Sequence, residues 1–133
     1  MNRTIKFRGK RLDNGEWVYG SLTETHGKLF IGIPTDPDNP VFMMDWHEVD
    51  SNTAGQFSGL LDKNGKEIYE GDIVRYYDNI EDELVSSHVI YHKESCSFCA
   101  APAKLCGDYV GIAVYWQFEV IGDIHDNERL NEK

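Results

Sequence analysis

The stretch GLLDKNGKEIYEGDIV, residues 59–74, carries two turn signals with a strand signal between them. Asn64-Gly65 is a dipeptide that accepts the backbone of a tight hairpin turn. Gly71 falls where an extended run must bend sharply, and Asp72 beside it can bond nearby backbone amides. Ile68, Tyr69, Ile73 and Val74 supply the apolar content on either side. A Gly-Asp kink between two apolar pairs suits a small, strongly bent β-barrel, which needs bulges or glycine corners to close. Glu70 and Asp72 also make a carboxylate pair. Acid–base chemistry would ask for a His, Lys or metal partner beside them, and the neighbouring sequence offers none. The stretch reads as architecture, with KEIYEGDIV as one edge-turning strand.

The same grammar extends in both directions. Asn14-Gly15 lies between TIKFRGKRL and EWVYGSL, where Ile5 and Phe7, then Trp17 and Tyr19, recur on every second residue. That is the period of a half-buried strand, and both Asn-Gly pairs are expected to form type I′ turns with positive φ at both centres. KLFIGI (residues 28–33) and VFMM (41–44) read as two more strands, joined by the breaker-rich loop PTDPDNP. DIVRYY, LVSSHVIYH, DYVGIAVYW and QFEVIGDI follow, rich in β-branched and aromatic residues. Helix signals reduce to a short turn through NIEDEL capped by Asp78 and another in the terminal DNERLNEK. The expected fold is mostly β, with eight to ten short antiparallel strands on spacing grounds and at most one or two short helices. Gly9 to Gly20 echoes Gly59 to Gly71 weakly, as two hairpins meeting one geometric demand.

The chain has 133 residues, which suits one domain, 1–133, or two small lobes divided near 1–58 and 59–133. Its formal net charge of −10 works against a generic phosphate-binding surface, which needs clustered cations. Arg3, Lys6, Arg8, Lys10 and Arg11 are the local exception, read as lining the solvent face of an N-terminal strand. There is no charged-then-apolar leader, and no apolar run nears the roughly eighteen residues of a membrane span. The odd set Cys96, Cys99 and Cys106 fits a reducing, cytoplasmic setting.

The sharpest ligand-like pattern is His88, His92, Cys96 and Cys99, spaced H-x3-H-x3-C-x2-C. If LVSSHVIYH is a strand, residues four apart lie about 13 Å from each other along it, too far for one metal. One His with Cys96, Cys99 and Cys106 stays open as an alternative. SCSFCAAPA offers no helix start to lower a thiol pKa for redox work. DWHEVD (45–50) gathers carboxylates around His47, as a cluster for acid–base or cation chemistry or, the preferred reading, as solvated charges at a strand end. No catalytic residue, metal ligand or cofactor is assigned. The aromatic set Trp17, Tyr19, Trp46, Tyr76, Tyr77, Tyr115, Trp116 and Phe118 supplies core. Runs such as YY and YW place one ring on each face of a strand, so some aromatic surface points outward.

IKFRGK near the start, WVYGSL after it, GQFSGLLDKNGKEIYEGDIV in the middle and FEVIGDIHDNERL at the end resemble the YopX family of phage and prophage proteins. The blocks stand in the family's order, with 76–116 variable between them. His125, Asp126 and Arg129 depart from the family's usual residues near the end. The resemblance implies a small phage-encoded protein with a largely β fold that includes an SH3-like barrel. It implies no established biochemical role, so no catalytic or binding residue carries over. The expected function is that of a non-enzymatic accessory module binding a host or phage protein in the host cytoplasm, and forming a homo-oligomer. The alternatives are a nucleic-acid-binding β-barrel and a small-molecule-binding or hydrolytic protein using a pocket near DWHEVD.

Overall fold

The computed structural model of the chain describes residues 3–39, 43–78, 82–93, 96–101, 110–111 and 117–126. The chain divides into two compact units, Met1–Phe57 and Ser58–Lys133. Eleven strands and a single 3-10 turn make up the described secondary structure, all paired strands being antiparallel. Among the described residues no helix is long and apolar enough to cross a membrane.

In the first unit β1 (Phe7–Lys10), β2 (Trp17–Thr25), β3 (Lys28–Pro34) and β4 (Met44–Val49) follow one another, and β5 (Gly55–Leu61) begins before the boundary. Their order is β4-β3-β2-β1-β5. Alternation puts Val18, Ile31 and Val49 on the buried side with Phe7, Leu22 and Leu29 packed against them. β2 and β3 come so close at Gly20 that a Cβ there would lie 2.2 Å from the Gly32 carbonyl oxygen. The sheet curls until the end of β4 returns to the first hairpin. Arg11 bridges Val49, the Leu12 amide donates to the Glu48 carbonyl (3.1 Å), and the Asp50 amide donates to the Lys10 carbonyl (2.8 Å). The 3-10 turn Ser51–Thr53 then reverses the chain, with Asp50 accepting from the Asn52 amide and Thr53 Oγ1 accepting from the Lys10 amide (2.9 Å). β5 leaves it to pair with β1, Phe7 opposite Gln56.

The second unit holds the far end of β5, its neighbour β6 (Glu67–Tyr69), and β7 (Asp72–Asp78), β8 (Glu83–His92), β9 (Ser97–Ala101), β10 (Val110–Gly111) and β11 (Glu119–Asp123). The last five lie in the order β10-β9-β8-β7-β11. Ile68, Val74, Tyr76, Val89, Ala100 and Phe118 form its core, with Tyr76 and Phe118 edge to face at 5.0 Å. Fully burying side chains such as Val74 and Val89 stabilises by on the order of 1.5–3 kcal/mol each. Among the described residues neither strand order closes on itself as a barrel.

Several expectations need correction. KEIYEGDIV is two strands, β6 and β7, broken at Glu70 and Gly71. Of the strand expected at VFMM, Val41 and Phe42 lie outside the described residues; the described strand begins at Met44 and runs on through the acidic stretch. Asp78 is the last residue of β7 and pairs with Glu83, while residues 79–81 of the turn expected through NIEDEL lie outside the described residues. The terminal DNERLNEK lies outside the described residues from 127 onward, as do most of DYVGIAVYW, Tyr115, Trp116 and Cys106. The Asn-Gly turns are not type I′, since φ is positive at Gly15 and Gly65 but not at Asn14 or Asn64. In the second hairpin Gly65 donates to the Asp62 carbonyl and the Asp62 amide donates to that of Lys66, a type I turn followed by a left-handed glycine. Positive φ at both centres occurs instead at His26-Gly27, between the paired residues Thr25 and Lys28.

Candidate functional site

The carboxylates of the opening stretch are taken up by backbone. Asp72 is buried, and its Oδ2 accepts from the Tyr69 amide at 2.7 Å. Gly71, at φ +93°, donates its amide to the Val89 carbonyl and accepts from the Ile124 amide. Asp123 pairs with Asp72 across β11 and β7, and its Oδ1 accepts from the His125 and Asp126 amides at 2.9 and 2.7 Å. The tripeptide Gly-Asp-Ile therefore occurs at 71–73 and at 122–124, with the two copies set antiparallel to each other. That repeated tripeptide is the signal by which Asp123 was legible, and the strand reading passed over it.

Asp62 was missed as well. Its Oδ1 accepts from the Asn64 and Lys66 amides, both at 2.8 Å, and its Oδ2 accepts from the Val120 amide at 2.9 Å. Burial pushes its pKa up, but the three amides outweigh that and hold it below the usual carboxylate value. Glu119 is held low chiefly by its hydrogen bond to Arg75, with Lys63 adding to it. The hydrogen bond between Arg11 and Asp13 raises the first and lowers the second. Each of these shifts stabilises a charge already engaged by a structural partner. None describes an acid or base poised for proton transfer.

The ligand-like residues are dispersed. His88 and His92 both lie on β8, paired with Ala101 and Ser97. Cys99 is buried in β9, a strand not among the runs expected from the sequence, while Cys96 is exposed at a positive φ of 54°. Among the described residues no group of three or more His, Cys, Asp or Glu side chains is placed to hold a metal ion. DWHEVD forms most of β4, so alternation sends Asp45 and His47 to one face and Trp46 and Glu48 to the other. The acids do not converge on His47.

The basic strand also departs from expectation. Arg8 is only 6% exposed and stacks over the Trp17 ring at 4.4 Å, with Lys10 over the same ring at 5.4 Å and Lys6 over Phe57 at 5.7 Å. A guanidinium is weakly hydrated and can lie on an aromatic face, so burial over Trp17 replaces the solvent face expected for it.

Aromatic surface does point outward. In β7 Tyr76 is buried and Tyr77 is 44% exposed, opposite Leu84 at 64%. In β4 Trp46 is 46% exposed, and a Cβ on its partner Gly32 would meet the indole at 2.6 Å. The bare glycine lets the indole lie against the neighbouring strand, where packing fixes it. Pro34 and Met44, paired with each other, lie on the same face. A large ring held flat and half open is the kind of feature that anchors protein contacts.

These features define an acidic protein whose described secondary structure is β-strands and one 3-10 turn. The chain belongs to the YopX family, whose model, described as YopX protein, matches residues 6–132. No curated protein matches it.

Proposed function

We propose that this chain is a phage- or prophage-encoded accessory protein that acts without catalysis, by binding a host or phage protein in the host cytoplasm. The observation that carries the reading is Trp46, half exposed and held against Gly32. Such a ring loses little conformational entropy on contact, so it supplies affinity efficiently. The first unit supports an SH3-like assignment as part of this proposal. Four strands, a 3-10 turn and a fifth strand returning to β1 follow the order of a small β-barrel binding module. The test is capture from infected-cell lysate on immobilised parent and Trp46→Ala protein. A protein retained by the parent and lost from the variant is expected. No protein above background on the parent would sink the reading.

A second reading, nucleic-acid binding, has one observation in its favour: Lys6, just before β1, and Arg8 and Lys10 on it alternate beside Phe57 and Trp17. The net charge of −10 opposes it. Titration with single- and double-stranded DNA and RNA at low salt separates the two, since salt-sensitive micromolar binding would reverse their order.

A further inference from the structure

We propose that the open edge of β4 docks an extended, basic segment of a partner protein, which adds to the sheet beside Met44 and Trp46 and lays an apolar side chain on the Trp46 indole. This rests on the protein-binding reading and adds to it the place, the backbone conformation and the charge of the partner. β4 is the outermost strand of its sheet order. Three hydrogen bonds fix which of its peptide groups face out. The Thr35 amide donates to the Met43 carbonyl (3.1 Å), so odd-numbered residues of this strand exchange bonds with β3. Even-numbered residues then direct their N–H and C=O groups the other way. The bonds from Leu12 to the Glu48 carbonyl and from Asp50 to the Lys10 carbonyl have that phase, and they close the edge at its C-terminal end. The stretch Met44–His47 stays open, because among the described residues no strand pairs with it on that side. The outward-directed peptide groups of Met44 and Trp46 are a template for an added strand.

Charge selects the occupant. Between Lys28 and Lys63 the sequence contains no Lys or Arg, while it contains Asp36, Asp38, Asp45, Glu48 and Asp50. Along β4 itself Glu48 shares the Trp46 face and Asp45 lies on the opposite one, and Asp36 and Asp38 lie exposed in the loop after β3. A second copy of this chain would bring its own Asp45 and Glu48 against these, and like charges across a strand pair destabilise it. Nucleic acid is repelled for the same reason. A segment alternating Lys or Arg with apolar residues sets its cations on the Asp45 face and an apolar side chain on the Trp46 face.

The probe is a nine-residue peptide alternating lysine with valine, compared with its glutamate counterpart and with a copy N-methylated along one edge. Calorimetry should show the lysine peptide binding at least tenfold tighter than either control and weakening with salt. Hydrogen exchange should slow at the Met44 and Trp46 amides. Met44→Pro removes one outward N–H without touching the β3 ladder, and it should weaken binding tenfold or more, as should Trp46→Ala. If Met44→Pro fails to fold by circular dichroism, the N-methylated peptide makes the same deletion from the other side. Failure of the lysine peptide to bind at millimolar concentration overturns the proposal. So does equal binding of the N-methylated copy, unchanged exchange at those amides, or a folded Met44→Pro that keeps its affinity. A lysate partner lost from Trp46→Ala but kept by Met44→Pro would preserve the protein-binding reading and still overturn edge docking. A self-associated state dissolved by Met44→Pro would give the edge to a second copy, and overturn it too.

Discussion

Gly71 occupies a left-handed conformation at φ +93° while both of its peptide groups are engaged, with Val89 on one side and Ile124 on the other. A β-branched residue cannot adopt that φ without strain, and moving the backbone would break the two bonds and disturb the Asp72 contact to Tyr69. Gly71→Val should therefore destabilise by about 3 kcal/mol or more, read from denaturant melts. A midpoint unchanged from the parent would contradict the architectural role of this bend. Asp62 gives a second prediction at this scale. In Asp62→Asn an NH2 group would replace one carboxylate oxygen, opposing a backbone amide and costing about 2–4 kcal/mol near neutral pH. A carboxylate with a depressed folded pKa stabilises fully above its unfolded value, near 3.8, and loses that contribution as pH falls through the lower folded value. The gap between parent and variant should thus hold steady above about pH 5 and shrink below about pH 4. A gap that widens in acid would show that other groups dominate. The bend at Gly71 and an amide bond to Asp72 were legible because both act within a few residues. The bond from Asp62 to Val120 spans 58 positions, and no local pattern announces it.

At the scale of elements, alternation in the first hairpin and β-branched and aromatic content further on located β1, β2, β3, β7, β8 and β11, and in β2, β7 and β8 one face is more buried than the other. It gave no strand at β9, where Ser97–Ala101 has no β-branched residue and is ordered by pairing with β8. It misplaced the start of β4 too, because the acidic content of Asp45–Glu48 masks a strand that pairs along its length with β3. Turn chemistry was read from the commonest dipeptide, and that is why the two-residue turn at His26-Gly27 went unseen. His26 at φ +52° and Gly27 at φ +77° hold the arrangement that Asn-Gly prefers. Asn tolerates the left-handed region at lower cost than His, so His26→Asn should stabilise the first unit by about 0.5 kcal/mol. Thermal melts of the two proteins check it. A lower midpoint for the variant would mean that the imidazole contributes something beyond turn geometry. The burial of Arg8 was illegible for a related reason, since a cation in a strand reads as solvent-facing until the ring beneath it is known.

At the scale of the whole molecule, a charge of −10 over 133 residues keeps like chains apart, yet apolar surface survives on the described face of β7 and β8. Tyr77 and Leu84 are direct cross-strand partners and stand away from the Val74, Tyr76 and Val89 core. Asp82 and Glu83 lie exposed just beyond them, so acids border the pair without interrupting it. A self-contact centred on the ring and the leucine, with the acids left at its rim in water, keeps its apolar gain. Salt screens rim charges beyond about 8 Å under physiological conditions, so the repulsion weakens while the apolar term does not. We therefore expect a homo-oligomer, most simply a two-fold dimer built from this face, and we expect it to strengthen with added salt. Light scattering over a concentration and salt series measures it, with the double variant Tyr77→Ser, Leu84→Asp expected to run as a monomer under every condition. Monomer mass for the parent at high concentration and high salt would refute self-association and leave Tyr77 and Leu84 to a different partner. A dimer that survives the double substitution would place the contact elsewhere.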